Sequence, residues 1–168
     1  LLVKLDLNKE RNYLMSKILV PKHNTPDKDM VMTPESCAID IISHFSPTGS
    51  ILDPCRGTGA FYNNYPISCE KDWCEVEEGK DFFTYDKKVD WIITNPPWSK
   101  IKEFIIHSMT IADSVVYLIS INHFTTKARL RLIYENNFGI KEFYCVKTPK
   151  EPWPQSGFQI AAVHFEKY

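Results

Sequence analysis

Two short stretches carry side chains able to do chemistry. The first is "TNPPWSK", Thr94 to Lys100, which follows "VDWII", a run that reads as a buried strand. Proline has no backbone donor and fixes φ, so a pair of prolines ends a strand abruptly and stiffens the chain beyond it. On that ledge the Asn95 side-chain oxygen and the Pro96 carbonyl can both accept hydrogens from one amino group, with Pro97 freezing the backbone. Trp98 offers a flat π face beside them, suited to stack on a heterocycle. The chemistry is a clamp for an aromatic amine.

The second stretch is "ILDPCRGTGAF", Ile51 to Phe61: a strand, a tight turn with Gly57 and Gly59, then the start of a helix. Glycines let the backbone come close to a ligand at a strand's carboxyl end. The spacing is not GxGxxG, and Asp53 followed by Pro54 is a poor host for a pyrophosphate. A carboxylate suits a cationic or hydroxyl-bearing ligand, so a nucleoside with an amine fits better than a dinucleotide. Glu70, seventeen residues after Asp53, closes the next strand, "PISCE", where it can accept from both ribose hydroxyls. In "GKDFF", Asp81 and Phe82 fall on the following strand or turn. They read either as an adenine site or, for Phe82, as plain core.

These residues need a frame. Short apolar runs alternate with helix-like segments from "SILD" to "FQIAAVHFE", which predicts an α/β fold around a mostly parallel sheet. Thr33 is placed to cap a helix with Pro34 at its first position, and Cys37, Ala38, Ile41, Ile42 and Phe45 form its apolar face. Asn137 and Gly139 look like a helix stop. The first thirty residues are mixed and polar and read as an N-terminal arm (1–30), leaving 31–168 as one catalytic domain.

Composition narrows the rest. At 43% apolar and 24% charged residues the chain is ordinary for a globular protein, and no apolar run reaches the roughly 20 residues of a membrane span. The expectation is a protein without a membrane partner, cytoplasmic or associated with the nucleoid. A net charge of -1 gives no strong pull toward nucleic acid, although bases outnumber acids from Asn122 onward. Five cysteines with no CxxC pair argue against a disulfide framework or a zinc knuckle, and the five histidines lack metal-ligand spacing.

"DPCRGTGAF" together with "NPPW" resembles the S-adenosylmethionine-dependent DNA adenine N6-methyltransferases, in the motif order of their gamma group. "VMTPESCAIDII" is similar to the family's upstream Thr-Pro motif. The resemblance spans Thr33 to Trp98 and implies a Rossmann-like sheet of seven strands with an antiparallel last strand. It implies S-adenosylmethionine as cofactor, held by Thr33 and by the turn from Asp53 and Pro54 through Gly57 and Gly59 to Phe61. Glu70 would hold the ribose, Asp81 and Phe82 the adenine, and Asn95, Pro96, Pro97 and Trp98 would act on a flipped adenine. About two residues follow the last strand, so target recognition in DNA would come from loops, the arm or a second subunit. An RNA adenine methyltransferase is the nearest alternative. A protein glutamine methyltransferase and a catalytically silent, methyltransferase-like subunit are further ones.

Overall fold

The structure, a computed structural model, describes residues 31–150, Trp153 and residues 159–168. The expected arm over 1–30 lies outside the described residues. Six strands form one sheet: β1 (Ser50–Asp53), β2 (Glu70–Trp73), β3 (Val89–Thr94), β4 (Ala112–Ser120), β5 (Phe138–Cys145) and β6 (Ile160–Lys167), in the order β2-β1-β3-β4-β6-β5. β1 runs parallel to β2 and β3, and β3 to β4. β6 is antiparallel to both β4 and β5, so β5 points the same way as the first four strands. The chain is thus α/β with a Rossmann-like, mostly parallel sheet and an antiparallel last strand, as expected.

Side-chain alternation along the strands builds a core on each face of the sheet. Leu52, Ile92 and Val115 pack with Phe104 and Ile105 of α2 (Ile101–Ile111) and Ile133 of α3 (Lys127–Glu135). Their neighbours Ile51, Ile93 and Val116 pack on the other face with Ala38, Ile41 and Ile42 of α1 (Glu35–Phe45). β4 is covered on both sides, which is why "VVYLIS" is buried throughout.

Several local readings change. α1 begins at Glu35 with Pro34 as its cap residue and no side-chain cap, so Thr33 stands one position too early to cap it. After the glycines there is no helix, only a single 3-10 turn at Tyr62–Asn64. Asn137 does take the left-handed conformation, with φ 59°, whereas Gly139 lies inside β5.

The segment from Pro66 to Cys69 is not part of a strand. β2 starts at Glu70, which pairs with Ser50, and Ile67 is 98% exposed. As the edge strand, β2 can be polar, and "EKDW" hides it from a search for apolar runs. Of the two readings of "DFFTY", strand or turn, the structure shows the turn: a 3-10 turn over Phe82–Thr84, capped by the Asp81 carboxylate accepting from the Phe83 amide at 2.9 Å. Six strands rather than seven are therefore present among the described residues, and β2 is left at the rim.

Candidate functional site

β1 and β3 are paired only at Ile51 with Trp91 and Leu52 with Ile92, and beyond these rungs they separate. β1 has β2 on one side and β3 on the other, so the crevice opens where the direction of winding reverses, the usual place for a ligand in such sheets. Asp53, the last residue of β1, is fully buried there. Its Oδ1 accepts from Thr94 Oγ1 at 2.8 Å and from the Cys55 amide at 3.2 Å. Oδ2 is buried with no hydrogen-bond partner among the described residues. Burial pushes the carboxyl up to about 7, against the opposing pull of its hydrogen bonds. Beneath it the buried Tyr65 hydroxyl donates to the Ile93 carbonyl of β3 and lies 3.5 Å from the Leu52 carbonyl of β1, tying the two strands where their ladder stops.

The turn after β1 is shaped by Gly57 (φ 50°) and Gly59 (φ 90°). A Cβ on Gly59 would lie 2.7 Å from Asn63 Nδ2, so the turn closes this tightly only without a side chain. The Gly57 amide donates to Glu75 Oε2 at 2.7 Å. Glu75 follows the carboxyl end of β2, level with the turn, whereas Glu70 is exposed at the opposite end of that strand. Glu70 thus opens its strand rather than closing it: at roughly 3.3 Å per residue, the length of β2 separates it from the end where Asp53 sits. Glu75 is the acid that stands level with the turn, and its signal was the third acid of "EKDWCE".

Arg56 is engaged rather than open. It pairs with Glu78 and its guanidinium lies 3.7 Å from the Trp73 ring centroid, near which Lys80 Nζ also lies at 3.5 Å. Phe82 is 3% exposed and stacked on Phe104 at 5.0 Å, a core ring with no open face for an adenine. This is the plain-core placement that the sequence left open for Phe82. Asp81 is exposed, and one of its oxygens is taken by the cap already described. Phe61 and Pro54 are buried, Phe61 in the core beneath α1.

Thr94 leads from β3 into the proline ledge. Asn95 is half-buried and its Nδ2 donates to the Val31 carbonyl at 3.0 Å, while Pro96 is buried and Pro97 half-buried. Trp98 is half-buried, with its ring centroid 6.3 Å from that of Trp153 and 5.5 Å from that of His123. Trp153 is 2% exposed and its indole donates to the Met32 carbonyl at 2.9 Å, so it buttresses Trp98 as a packed anchor.

The short segment ahead of α1 thereby touches everything at once. Val31 holds Asn95, Met32 holds Trp153, and the Met32 sulfur would be 3.1 Å from a Cβ on Gly57. Thr33 is the next residue. Val31 and Met32 open the string "VMTPESCAIDII", but nothing in it singles out their backbone carbonyls, through which they act.

Nothing else competes as a reactive centre among the described residues. No group of three or more metal-ligating side chains occurs. Burial raises the thiols of Cys37 to about 11 and Cys74 to about 12, and pushes that of Cys55 up as well. His23 lies outside the described residues, and the half-buried His107 is lowered by desolvation. No helix among the described residues is long and apolar enough to cross a membrane.

No family model and no curated protein sequence matches the chain. Solved structures do match its fold. A proposed RNA methyltransferase of Pyrococcus horikoshii superposes with a TM-score of 0.63 at 15% identity, covering 96% of this chain and 99% of that one. A proposed class I S-adenosylmethionine-dependent methyltransferase of Listeria monocytogenes gives 0.63 at 16% identity over 95% and 67%. The 23S rRNA methyltransferase ErmE gives 0.63 at 11% identity over 83% and 70%. At such identities the likeness shows the fold: the chain has the Rossmann-like fold of S-adenosylmethionine-dependent methyltransferases.

Proposed function

We propose that this chain is an S-adenosylmethionine-dependent N-methyltransferase that methylates the exocyclic N6 amine of adenine in DNA. One observation carries the reading. The strand that ends in the glycine turn and the strand that ends in Asn95-Pro96-Pro97-Trp98 are joined at their tips by the Asp53–Thr94 hydrogen bond of 2.8 Å, so a donor held at one and an amine held at the other share one crevice.

The residues present fit such a cofactor. The unpartnered, buried Asp53 Oδ2 is an acceptor suited to an ammonium group, and the Glu75 carboxylate stands level with the turn, where ribose hydroxyls can donate to it. Glu77 and Asp81 add negative charge on the same side, where Glu78 is paired with Arg56, and this favours a cation. When bound, S-adenosylmethionine supplies an electrophilic methyl group on a sulfonium sulfur.

The chain's own task is to prepare the amine. An aromatic amine is a poor nucleophile because its lone pair is delocalised into the ring. Asn95 Oδ1 and the Pro96 carbonyl accept its two hydrogens, favour a more tetrahedral nitrogen and stabilise the positive charge that develops on it. Val31 holds the Asn95 amide nitrogen, which turns Oδ1 rather than Nδ2 toward the amine. Trp98, braced by Trp153, stacks on the base, and the crevice keeps the reactants close. Neither clamp atom is a base, so the proton leaves to solvent after transfer.

A second reading, with the same amine in RNA as acceptor, draws on the likeness to a 23S rRNA methyltransferase. Target selection in either nucleic acid falls to the loops, the N-terminal arm or a second subunit. The experiment is to incubate the protein with S-adenosylmethionine and separate DNA and RNA pools, digest them to nucleosides and quantify methylated bases by mass spectrometry, with Asn95→Ala as control. N6-methyladenine from DNA, lost in the variant, is the expected result. Product from RNA alone selects the second reading, and cofactor binding without a methylated base in either pool overturns both.

A further inference from the structure

The lysines at the mouth of the crevice are arranged differently from the bases elsewhere. Away from the clamp, basic side chains are engaged: Arg131 with Glu135, Lys141 with Glu166, Lys167 with Asp113 and Lys87 with Asp72, while Lys88 donates to the Thr110 carbonyl and Lys71 and Lys80 lie over the rings of Tyr62 and Trp73. Lys100, Lys102, Lys127, Lys147 and Lys150 are all exposed, and none forms an ion pair among the described residues.

The topology brings these five to one edge. Lys100 and Lys102 follow the carboxyl end of β3, in the 3-10 turn after the prolines and the first turn of α2. Lys127 opens α3, just past the carboxyl end of β4. Lys147 and Lys150 follow β5, which runs parallel to β4, and the Lys150 carbonyl accepts from the Trp153 amide at 3.2 Å, beside Trp98. The crevice is therefore polarised. Its β1–β2 lip carries Glu75, Glu77, Glu78 and Asp81 against only Arg56 and Lys80, and its β3–β4–β5 lip carries the unpaired lysines.

Local energetics do not explain this placement. The positive end of a helix disfavours nearby cations, yet three of the lysines flank or occupy the starts of α2 and α3. Such a conflict between local preference and sequence is expected where a surface serves a partner. The partner that complements a set of exposed ammonium groups without ion pairs is a polyanion with regularly spaced charges.

We propose that Lys100, Lys102, Lys127, Lys147 and Lys150 form a phosphate-binding rim that holds the acceptor nucleic-acid strand by its backbone across the mouth of the clamp. The proposal rests on the reading of the acceptor as nucleic acid and names the residues that carry it. Lysine acts as a point charge without a base-reading fork, so the rim binds any sequence, and its strength depends on salt.

The test is fluorescence anisotropy with labelled DNA and RNA strands of about 20 nucleotides, longer than the ~4–16 that one binding module covers, in two unrelated sequences. Salt is varied between about 50 and 200 mM. Two variants carry the same charge change: Lys102→Gln/Lys127→Gln/Lys150→Gln on the rim, and Lys88→Gln/Lys141→Gln/Lys167→Gln at the opposite end of the strands. Wild type should show a log–log salt slope of about -3, with the two sequences bound alike. The rim variant should bind at least tenfold more weakly at low salt, with the slope reduced to about -1, while the other variant stays within about twofold of wild type.

Equal losses in both variants, or a wild-type slope near zero, would overturn the rim. Calorimetry with S-adenosylmethionine alone separates the two claims. Cofactor binding without any nucleic-acid binding removes the rim and leaves the methyltransferase fold with another acceptor. Rim-dependent binding without cofactor binding keeps the rim and removes the methyltransferase reading.

Discussion

Thr94 Oγ1 donates to Asp53 Oδ1 at 2.8 Å across the gap where β1 and β3 have ceased to pair. Both residues are fully buried, and this bond joins the tip that leads into the glycine turn to the tip that leads into the prolines. Replacing the hydroxyl with a methyl group of the same shape leaves a buried carboxyl short of its donor, which costs about 1–3 kcal/mol. Thr94→Val should lower the melting temperature by about 2–10 °C, and Thr94→Ser, which keeps the hydroxyl, by much less. Calorimetric melting of the three proteins checks this, and a Thr94→Val protein as stable as wild type would show that the bond contributes nothing.

Asp53 also sets a pH dependence. Its carboxyl is raised to about 7 in the folded chain, chiefly by burial, against about 3.9 in an unfolded one. Between those values the native chain holds a proton that the unfolded chain has lost, so stability falls as pH rises through the window. The loss reaches up to about 4 kcal/mol above pH 7 and vanishes below about pH 4. Asp72 and Asp90, whose carboxyls are lowered, act only at more acidic pH. Urea unfolding between about pH 5 and 8 should show stability declining in wild type and a flatter profile for Asp53→Asn. A cationic ligand at Oδ2 favours the ionised form, so cofactor affinity should rise over about pH 6 to 8 with release of a proton. Parallel profiles for wild type and Asp53→Asn would rule this assignment out.

The sequence made the architecture legible because burial writes itself into it. "VVYLIS" and "VDWIIT" are apolar since the central strands are covered on both faces, and the glycine turn and proline ledge stand out because they break strands. The edge was not legible. β2 is four polar-rich residues whose strand character comes from the backbone of β1, so no periodicity announces it, and Glu70 was read as the end of a strand that it in fact begins. Phe82 was ambiguous because a ring against Phe104 and a ring against an adenine have the same sequence signature. The Val31 and Met32 carbonyls carry no side-chain signal at all.

The relocation of the acid can be tested directly. Glu75→Gln keeps an oxygen for the Gly57 amide but removes the charge offered to ribose hydroxyls, a loss of about 1.5–3 kcal/mol for hydrogen bonds to a charged group. S-adenosylmethionine affinity measured by calorimetry should fall by about 10- to 100-fold. Glu70→Gln, exposed at the far end of β2, should leave it unchanged. The reverse ranking would restore the assignment read from the sequence.

Asn95 should separate chemistry from cofactor binding. It lies on the clamp side of the crevice, with its amide nitrogen on the Val31 carbonyl, and its oxygen acts on the amine only as positive charge develops there. Asn95→Ala should therefore reduce kcat by about 10²–10³, equivalent to about 2.7–4 kcal/mol, the usual effect of removing one preorganised hydrogen-bonding partner from a transition state. The affinity for S-adenosylmethionine should stay within about twofold of wild type, since the cofactor is assigned to Asp53 and Glu75. Asn95→Asp keeps an acceptor but sets a carboxylate oxygen against the Val31 carbonyl, so it should recover only part of the rate. Single-turnover methyl transfer alongside equilibrium cofactor binding measures both quantities, and a fall in affinity that accounts for the whole loss of rate would place Asn95 on the cofactor rather than on the amine.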